Sequence, residues 1–78
     1  MQISLVEMRA GQSGTVSVIA GGRGLRAQLE ALGIRPGKKI TKLGSVFRRG
    51  PVTINADNYQ VALGYGKAIK VIVEVDQL

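Results

Sequence analysis

Residues 20–37, AGGRGLRAQLEALGIRPG, decide how the chain folds because they interrupt a sequence that otherwise reads as β-strands. Leu25, Leu29 and Leu32 recur at i, i+4 and i+7, and this spacing predicts one apolar face of a short helix. Gly33 follows the last leucine, where a glycine commonly caps a helix. The stretch therefore predicts a strand-to-helix corner, a short helix and a capped exit.

The glycines ahead of the leucines raise the question of a phosphate site. Residues 22–27, GRGLRA, fit the G-x-G-x-x-G/A pattern of a dinucleotide-binding turn. Such a site also needs a parallel βαβ unit and an acidic residue about 20 positions further on. The chain has KLGSV there, at residues 42–46, and its strands read as antiparallel. We interpret Gly21, Gly22 and Gly24 instead as a corner that turns through positive φ.

Short β-strands are predicted on both sides of this helix. Residues 15–19 are rich in β-branched side chains, and from residue 39 onward apolar and polar residues alternate with period two. Turn residues separate the later segments. The predicted strands are 15–19, 39–47, 52–54, 59–63 and 69–76, preceded by a short helical turn at 4–8 and joined by turns at 48–50, 57–58 and 64–66.

These elements predict the fold class. Five short strands are too few for a sandwich, and an open sheet would expose two edges. The sequence therefore predicts a mainly β fold: a small, closed or nearly closed antiparallel barrel of about five strands. One short α-helix over about residues 24–32 would cover one end of it.

Length and charge limit the class of protein further. Seventy-eight residues predict a single domain over 1–78, and 11 Lys and Arg against 5 Asp and Glu give a net charge of +6. That charge favours an acidic partner, which is a nucleic acid, an anionic lipid surface or an acidic protein. Because the chain has no cysteine, no signal-peptide pattern and no long apolar run, we expect a cytoplasmic protein without membrane insertion.

The residue types argue against an enzyme. The chain has no His and no Cys, so its serines lack an activating base and transition metals lack their usual ligands. A lysine could act as a general base only if burial lowered its pKa, and a barrel this small offers little interior for one. Glu74 and Asp76 could share a weakly bound ion, although the end of a solvated edge strand explains them equally well. We expect no catalytic residue, no cofactor and no metal site.

Basic residues fall into groups that predict a binding surface. The start of the helix offers free N–H groups beside Arg23 and Arg26, which could hold a carboxylate or a phosphate of a partner. The candidate partner-binding residues are Arg23, Gly24, Arg26, Arg35, Lys38, Phe47, Arg48 and Arg49. Small basic barrels also bind single-stranded RNA, whose bases stack on aromatic side chains. Because the chain has only three aromatic residues, RNA is an alternative partner and not the main prediction. Self-assembly through an unpaired strand edge is another.

Several segments, taken in order, carry a family resemblance. The most specific is LGIRPG at residues 32–37, followed at the expected distance by VALG at residues 61–64. Gly-Gly at 21–22 and Gly-Pro-Val at 50–52 extend the pattern. Together they resemble the FeoA family over nearly the whole chain. The chain departs from the pattern at Asp57, where the family often has glycine.

The resemblance implies an SH3-like barrel and a cytosolic accessory protein of bacterial or archaeal ferrous iron uptake. Such a protein acts on the membrane GTPase FeoB, docks on its GTP-binding domain and biases its nucleotide state or assembly, without holding the transition metal ion itself. A third small Feo protein is a further candidate partner, and the chain could also associate with copies of itself as a homo-oligomer. Nucleic acid is not favoured as a partner. FeoA-like domains also end some metal-dependent repressors, but no DNA-binding helix precedes this one, which favours a stand-alone protein.

Overall fold

The computed structural model describes residues 1–45 and 49–76 of the chain. Six antiparallel strands form one sheet with the order β1-β6-β2-β3-β4-β5. The elements are β1 (Gln2–Ser4), a 3₁₀ turn (Leu5–Glu7), β2 (Ser13–Ile19), α1 (Arg23–Ala31), β3 (Lys39–Ser45), β4 (Val52–Ala56), β5 (Tyr59–Leu63), α2 (Tyr65–Ala68) and β6 (Val71–Glu74).

The mainly β, antiparallel fold with one helix near residues 24–32 is confirmed. The strand that the sequence did not predict is β1, whose three residues have no recognisable pattern and which exists because Ile3 pairs with Val73 of β6. The helical turn at 4–8 is the 3₁₀ turn, which begins with a capping box between Ser4 and Glu7. The predicted corner at 64–66 is part of the short helix α2.

Three predicted strands differ from the observed ones in length: those predicted for 15–19 and 52–54 are longer, at Ser13–Ile19 and Val52–Ala56, and the last one is shorter. The last strand spans Val71–Glu74 instead of 69–76, because Ile69 and Lys70 form the turn that ends α2. The strand predicted for 39–47 is observed over Lys39–Ser45, and its last two residues lie outside the described ones.

Apolar side chains from all six strands and α1 pack into one core. The largest fully buried side chains are Leu5, Leu29, Ile34, Ile40, Ile54, Val16, Val71, Val73 and Val75. The predicted leucine face of the helix is right for Leu29, which is fully buried, and for Leu25, which packs against the core. It is wrong for Leu32, which ends the helix and is exposed.

The exit of α1 is capped as predicted, by a Schellman motif. Gly33 has φ +84°, its N–H donates to the carbonyl of Glu30 at 2.9 Å, and the Ile34 N–H donates to that of Leu29 at 2.9 Å. The Tyr59 hydroxyl lies so close that a Cβ on Gly33 would come within 1.8 Å of its oxygen. That hydroxyl donates to the carbonyl of Leu32 at 2.8 Å. The exit is therefore tied to β5.

The turn that follows is also as predicted. Gly37 has φ +92°, and the Lys38 N–H donates to the carbonyl of Arg35 at 3.0 Å across Pro36 and Gly37. The Gly37 N–H then donates to Val16 of β2 at 2.8 Å, so the turn leads the chain directly into β3 beside β2.

The interpretation of the entry to α1 is wrong in one respect: none of its glycines has positive φ. Gly22, the residue before the helix, is extended with φ −77° and ψ 179°. A Cβ on Gly21 would come within 2.6 Å of Leu25 Cδ2, while Gly22 and Gly24 face open space. Close packing explains Gly21, and the backbone demands no glycine at the other two positions.

Candidate docking surface

The start of α1 and the end of α2 lie side by side at one end of the sheet. The Ala20 N–H donates to the carbonyl of Lys70 at 2.7 Å, and Ile19 pairs with Val71 in the sheet. Four exposed basic residues are placed there, which we call the basic end: Arg23, Arg26, Lys67 and Lys70. Within residues 1–45 and 49–76 none of them forms an ion pair. Their charges are available to a partner.

Exposed aliphatic side chains lie beside the basic end. Val18 is 46% exposed and Ile69, next to Lys70, is 40% exposed. Val18 stands opposite the half-buried Ile72 in the sheet. A bulge between Val16 and Val18 breaks the alternation of β2 and leaves Val18 on the outer face. Sequence reasoning missed Val18, because regular alternation along β2 would bury it together with Val16. It missed Ile69 because that residue was predicted to begin the last strand.

The backbone at the start of α1 adds to the positive potential of this end. The helix has no side-chain cap at Gly22 and no acidic residue in its first turn. Its first N–H groups therefore have neither an intrahelical carbonyl nor a capping side chain as an acceptor. The helix dipole also places partial positive charge there. Arg23, Gly24 and Arg26, three of the predicted site residues, surround these groups.

The remaining predicted site residues do not lie at the basic end. Arg35 and Lys38 belong to the turn after α1, and the Lys38 ammonium group is paired with the Asp57 carboxylate in the β4–β5 turn. Arg49 comes after the end of β3 that lies away from this turn. The strand has seven residues and is about 20 Å long. Phe47 and Arg48 lie outside the described residues. The structure thus separates the candidates into groups at different ends of the sheet.

The barrel was expected to offer little interior for a lysine, yet it buries one. Lys42 on β3 is 6% exposed, and its Nζ donates to the carbonyls of Met8 at 2.7 Å and Val6 at 3.1 Å. Burial lowers the pKa of this ammonium group. Because both contacts are backbone carbonyls, the lysine fastens the segment after β1 to β3. The alternation in β3 was the available signal, since it puts Lys42 on the same face as Ile40.

Glu74 and Asp76 do not stand on an edge strand, since β6 lies between β1 and β2. The Glu74 carboxylate accepts a hydrogen bond from the amino group of Met1, which lowers the pKa of the glutamate. Glu74 and Asp76 line a cavity of about 260 Å³ together with Lys39. Among the described residues, no three acidic, His or Cys side chains form a metal-binding group. No helix in the same residues has the length and apolar character to cross a membrane.

Comparisons with known proteins agree with this geometry. The family model of the FeoA domain matches residues 3–75. A crystal structure of an iron uptake regulatory protein (FeoA) is 36% identical, with a TM-score of 0.85 over 95% of this chain and 96% of that one. A FeoA-like protein from Clostridium acetobutylicum is 23% identical, with a TM-score of 0.84 over 99% and 90% of the two chains.

A manganese-dependent transcriptional repressor shares the fold. It is 24% identical, with a TM-score of 0.81 over 95% of this chain and 41% of the repressor. A comparison with curated proteins gave no match. The matched family model spans nearly the whole chain, and the fold is the SH3-like fold of the FeoA structures. The chain therefore belongs to the FeoA family.

Proposed function

We propose that this protein is a cytosolic accessory protein that docks on the membrane GTPase FeoB and modulates its assembly or nucleotide state. Membership of the FeoA family implies a part in ferrous iron transport. The observation that supports docking is the basic end, where four exposed cations without described ion pairs adjoin exposed aliphatic side chains. The partner surface that fits it is acidic with an apolar centre.

Electrostatics supports a protein partner at this end. The net charge of +6 attracts an acidic surface over a distance, which raises the rate of encounter. Unpaired cations gain carboxylate contacts without first giving up internal ones. Val18 and Ile69 supply the apolar area that holds such a complex together once it has formed.

The start of α1 gives the surface a preferred contact. A carboxylate of the partner placed there would accept hydrogen bonds from the free N–H groups and from the guanidinium groups of Arg23 and Arg26. Both arginines are exposed and lie within the first four residues of the helix.

Charge reversal at one arginine tests the proposal. Arg23→Glu should weaken binding to the soluble GTP-binding part of the cognate FeoB about tenfold or more, as expected when a charge pair becomes a repulsion. The fold should not suffer, because a glutamate at the start of a helix is favoured by the dipole. Binding is measured by titration calorimetry at fixed salt, and the fold by thermal unfolding.

Arg9→Glu is the matched control, since Arg9 is also an exposed arginine and precedes the opposite end of β2. It should change the affinity by no more than about twofold, the effect of diffuse charge alone. Equal losses in both variants would refute the basic end as the docking site. An absence of FeoB binding, together with tight binding of mixed-sequence RNA that falls steeply with salt, would refute the function itself.

The effect on the GTPase is measured separately. Full-length FeoB is assayed for GTP hydrolysis with the wild-type protein, with Arg23→Glu and with Arg9→Glu. A modulator that acts through the basic end changes the rate in the wild-type and Arg9→Glu reactions and leaves it at the FeoB-only value with Arg23→Glu.

A further inference from the structure

The sheet ends in two strands that differ in how well their edges are protected. The order β1-β6-β2-β3-β4-β5 leaves β1 and β5 at its edges. β1 has three residues, and such a short edge offers little for another chain to pair with. β5 has five residues, YQVAL, with no charge and no proline among them. It lacks the features that usually protect an edge from pairing.

The register of the β4–β5 hairpin shows which backbone groups of β5 point outward. A two-residue turn, Asp57-Asn58, closes on the pair Ala56 and Tyr59. In an antiparallel pair, hydrogen-bonded and non-hydrogen-bonded positions alternate, so Gln60 and Ala62 direct N–H and C=O away from β4. Both residues are exposed, and no described backbone group bonds to the outer side of either. The edge offers two donors and two acceptors to a strand.

Positive charge stands at both ends of this edge. The turn that contains Arg35 is fixed at the start of β5, through the contact of the Tyr59 hydroxyl with Leu32 and the ion pair of Lys38 with Asp57. Beyond the other end of β5, Lys67 lies in the first turn of α2, where its N–H donates to the carbonyl of Gly64 at 3.1 Å. Arg35 and Lys67 are exposed and have no ion pair in the described part of the chain.

We propose that the β5 edge binds an extended acidic segment of the docked partner as an added strand. The backbone of Gln60 and Ala62 pairs with the segment, and Arg35 and Lys67 contact carboxylates near its two ends. This rests on the proposed function, since the segment belongs to the same partner. A second copy of this chain is a poorer occupant of the edge, because it would bring another net charge of +6 against the first.

A proline at an outward-facing position tests the edge with little effect on the hairpin. Ala62→Pro removes one outward N–H and places ring atoms there, while the inward bonds of Val61 and Leu63 to β4 remain. Ala62→Thr is the matched control, because it changes the same side chain and keeps the N–H. Binding to the soluble GTP-binding part of FeoB should fall about tenfold with proline and less than about twofold with threonine.

Amide hydrogen exchange of the wild-type protein supplies a readout that does not depend on a variant. In the free protein the Gln60 and Ala62 amides should exchange quickly and those of Tyr59, Val61 and Leu63 slowly. In the FeoB complex the two outward amides should exchange at about one tenth of their rate in the free protein, or more slowly still. The alternation along β5 should then disappear. Docking through side chains alone would leave the alternation in place.

The outcomes separate the two proposals. If the wild-type protein and Ala62→Pro bind FeoB equally well and the alternation persists in the complex, the edge proposal is wrong and docking stands. If the wild-type protein does not bind, both are wrong. If sedimentation shows a dimer that proline abolishes and threonine does not, a second copy occupies the edge and the acidic segment is refuted. If Ala62→Pro fails to fold, the exchange pattern of the wild-type complex decides.

Discussion

The two ends of α1 both contain glycines, yet only one end needs them. At the exit, Gly33 has positive φ and lies against the Tyr59 hydroxyl, so the backbone and a neighbour both exclude a side chain. At the entry, Gly22 and Gly24 have ordinary backbone angles and face open space. The exit is therefore determined by the fold, whereas the entry is free to serve another purpose.

The largest effect should come from breaking the exit. Gly33→Ala should lower the free energy of unfolding by about 2–3 kcal/mol, because it forces a side chain into positive φ and displaces the Tyr59 hydroxyl from the carbonyl of Leu32. Denaturant unfolding measures the loss.

Tyr59→Phe separates the two causes. It removes the hydroxyl oxygen that a Cβ at position 33 would meet at 1.8 Å and leaves only the ring Cζ, at 3.2 Å, which a small shift of the ring relieves. Gly33→Ala should therefore cost only about 1 kcal/mol in that background, a value set mainly by the backbone strain. An unchanged cost in the two backgrounds would show that Tyr59 plays no part in excluding a side chain from the exit.

A smaller loss is expected at the turn after the exit. Gly37→Ala should cost about 1 kcal/mol in unfolding free energy, since Gly37 also has positive φ but no atom lies within 4 Å of a Cβ placed there. Comparison with Gly33→Ala by the same denaturant titration then isolates the contribution of the crowded Tyr59 contact. A loss as large as that at Gly33 would contradict this assignment.

The smallest effect, opposite in sign, is expected at the entry. Gly24→Ala should raise the free energy of unfolding by about 0.5–1 kcal/mol, because alanine is the better helix former and its Cβ meets no neighbour. Affinity for the GTP-binding part of FeoB should fall, since the methyl group occupies space beside the free N–H groups of the helix. Both quantities are measured on one sample, and unchanged affinity would mean that the entry glycine serves no partner.

The exit could be predicted from the sequence because its interactions are local. Gly33 caps the helix and Pro36-Gly37 forms the turn through hydrogen bonds that reach at most five residues along the chain, from Gly33 to Glu30, Ile34 to Leu29 and Lys38 to Arg35. The entry was misjudged because an extended Gly22 makes the corner as well as a left-handed glycine would. Sequence spacing cannot distinguish the two.

The parts that the sequence did not predict depend on distant partners. β1 exists only through its pairing with β6, about 70 residues away, and no local pattern marks it. The bulge that turns Val18 outward is set by the register of β2 against β6. The gathering of Arg23 and Arg26 with Lys67 and Lys70 depends on the contact between Ala20 and Lys70. The candidate residues at the helix start were identifiable, but their neighbours were not.

The helix α1 also fixes a distance. Its nine residues span about 13 Å, from the arginines at its start to the carbonyl near its end that Tyr59 binds at the beginning of β5. The arginines of the basic end and the start of the β5 edge are thus held apart by a rigid spacer and not by a loop. A partner that uses both must present its acidic patch and its extended segment at that spacing, which gives a geometric criterion for locating the matching surface on FeoB.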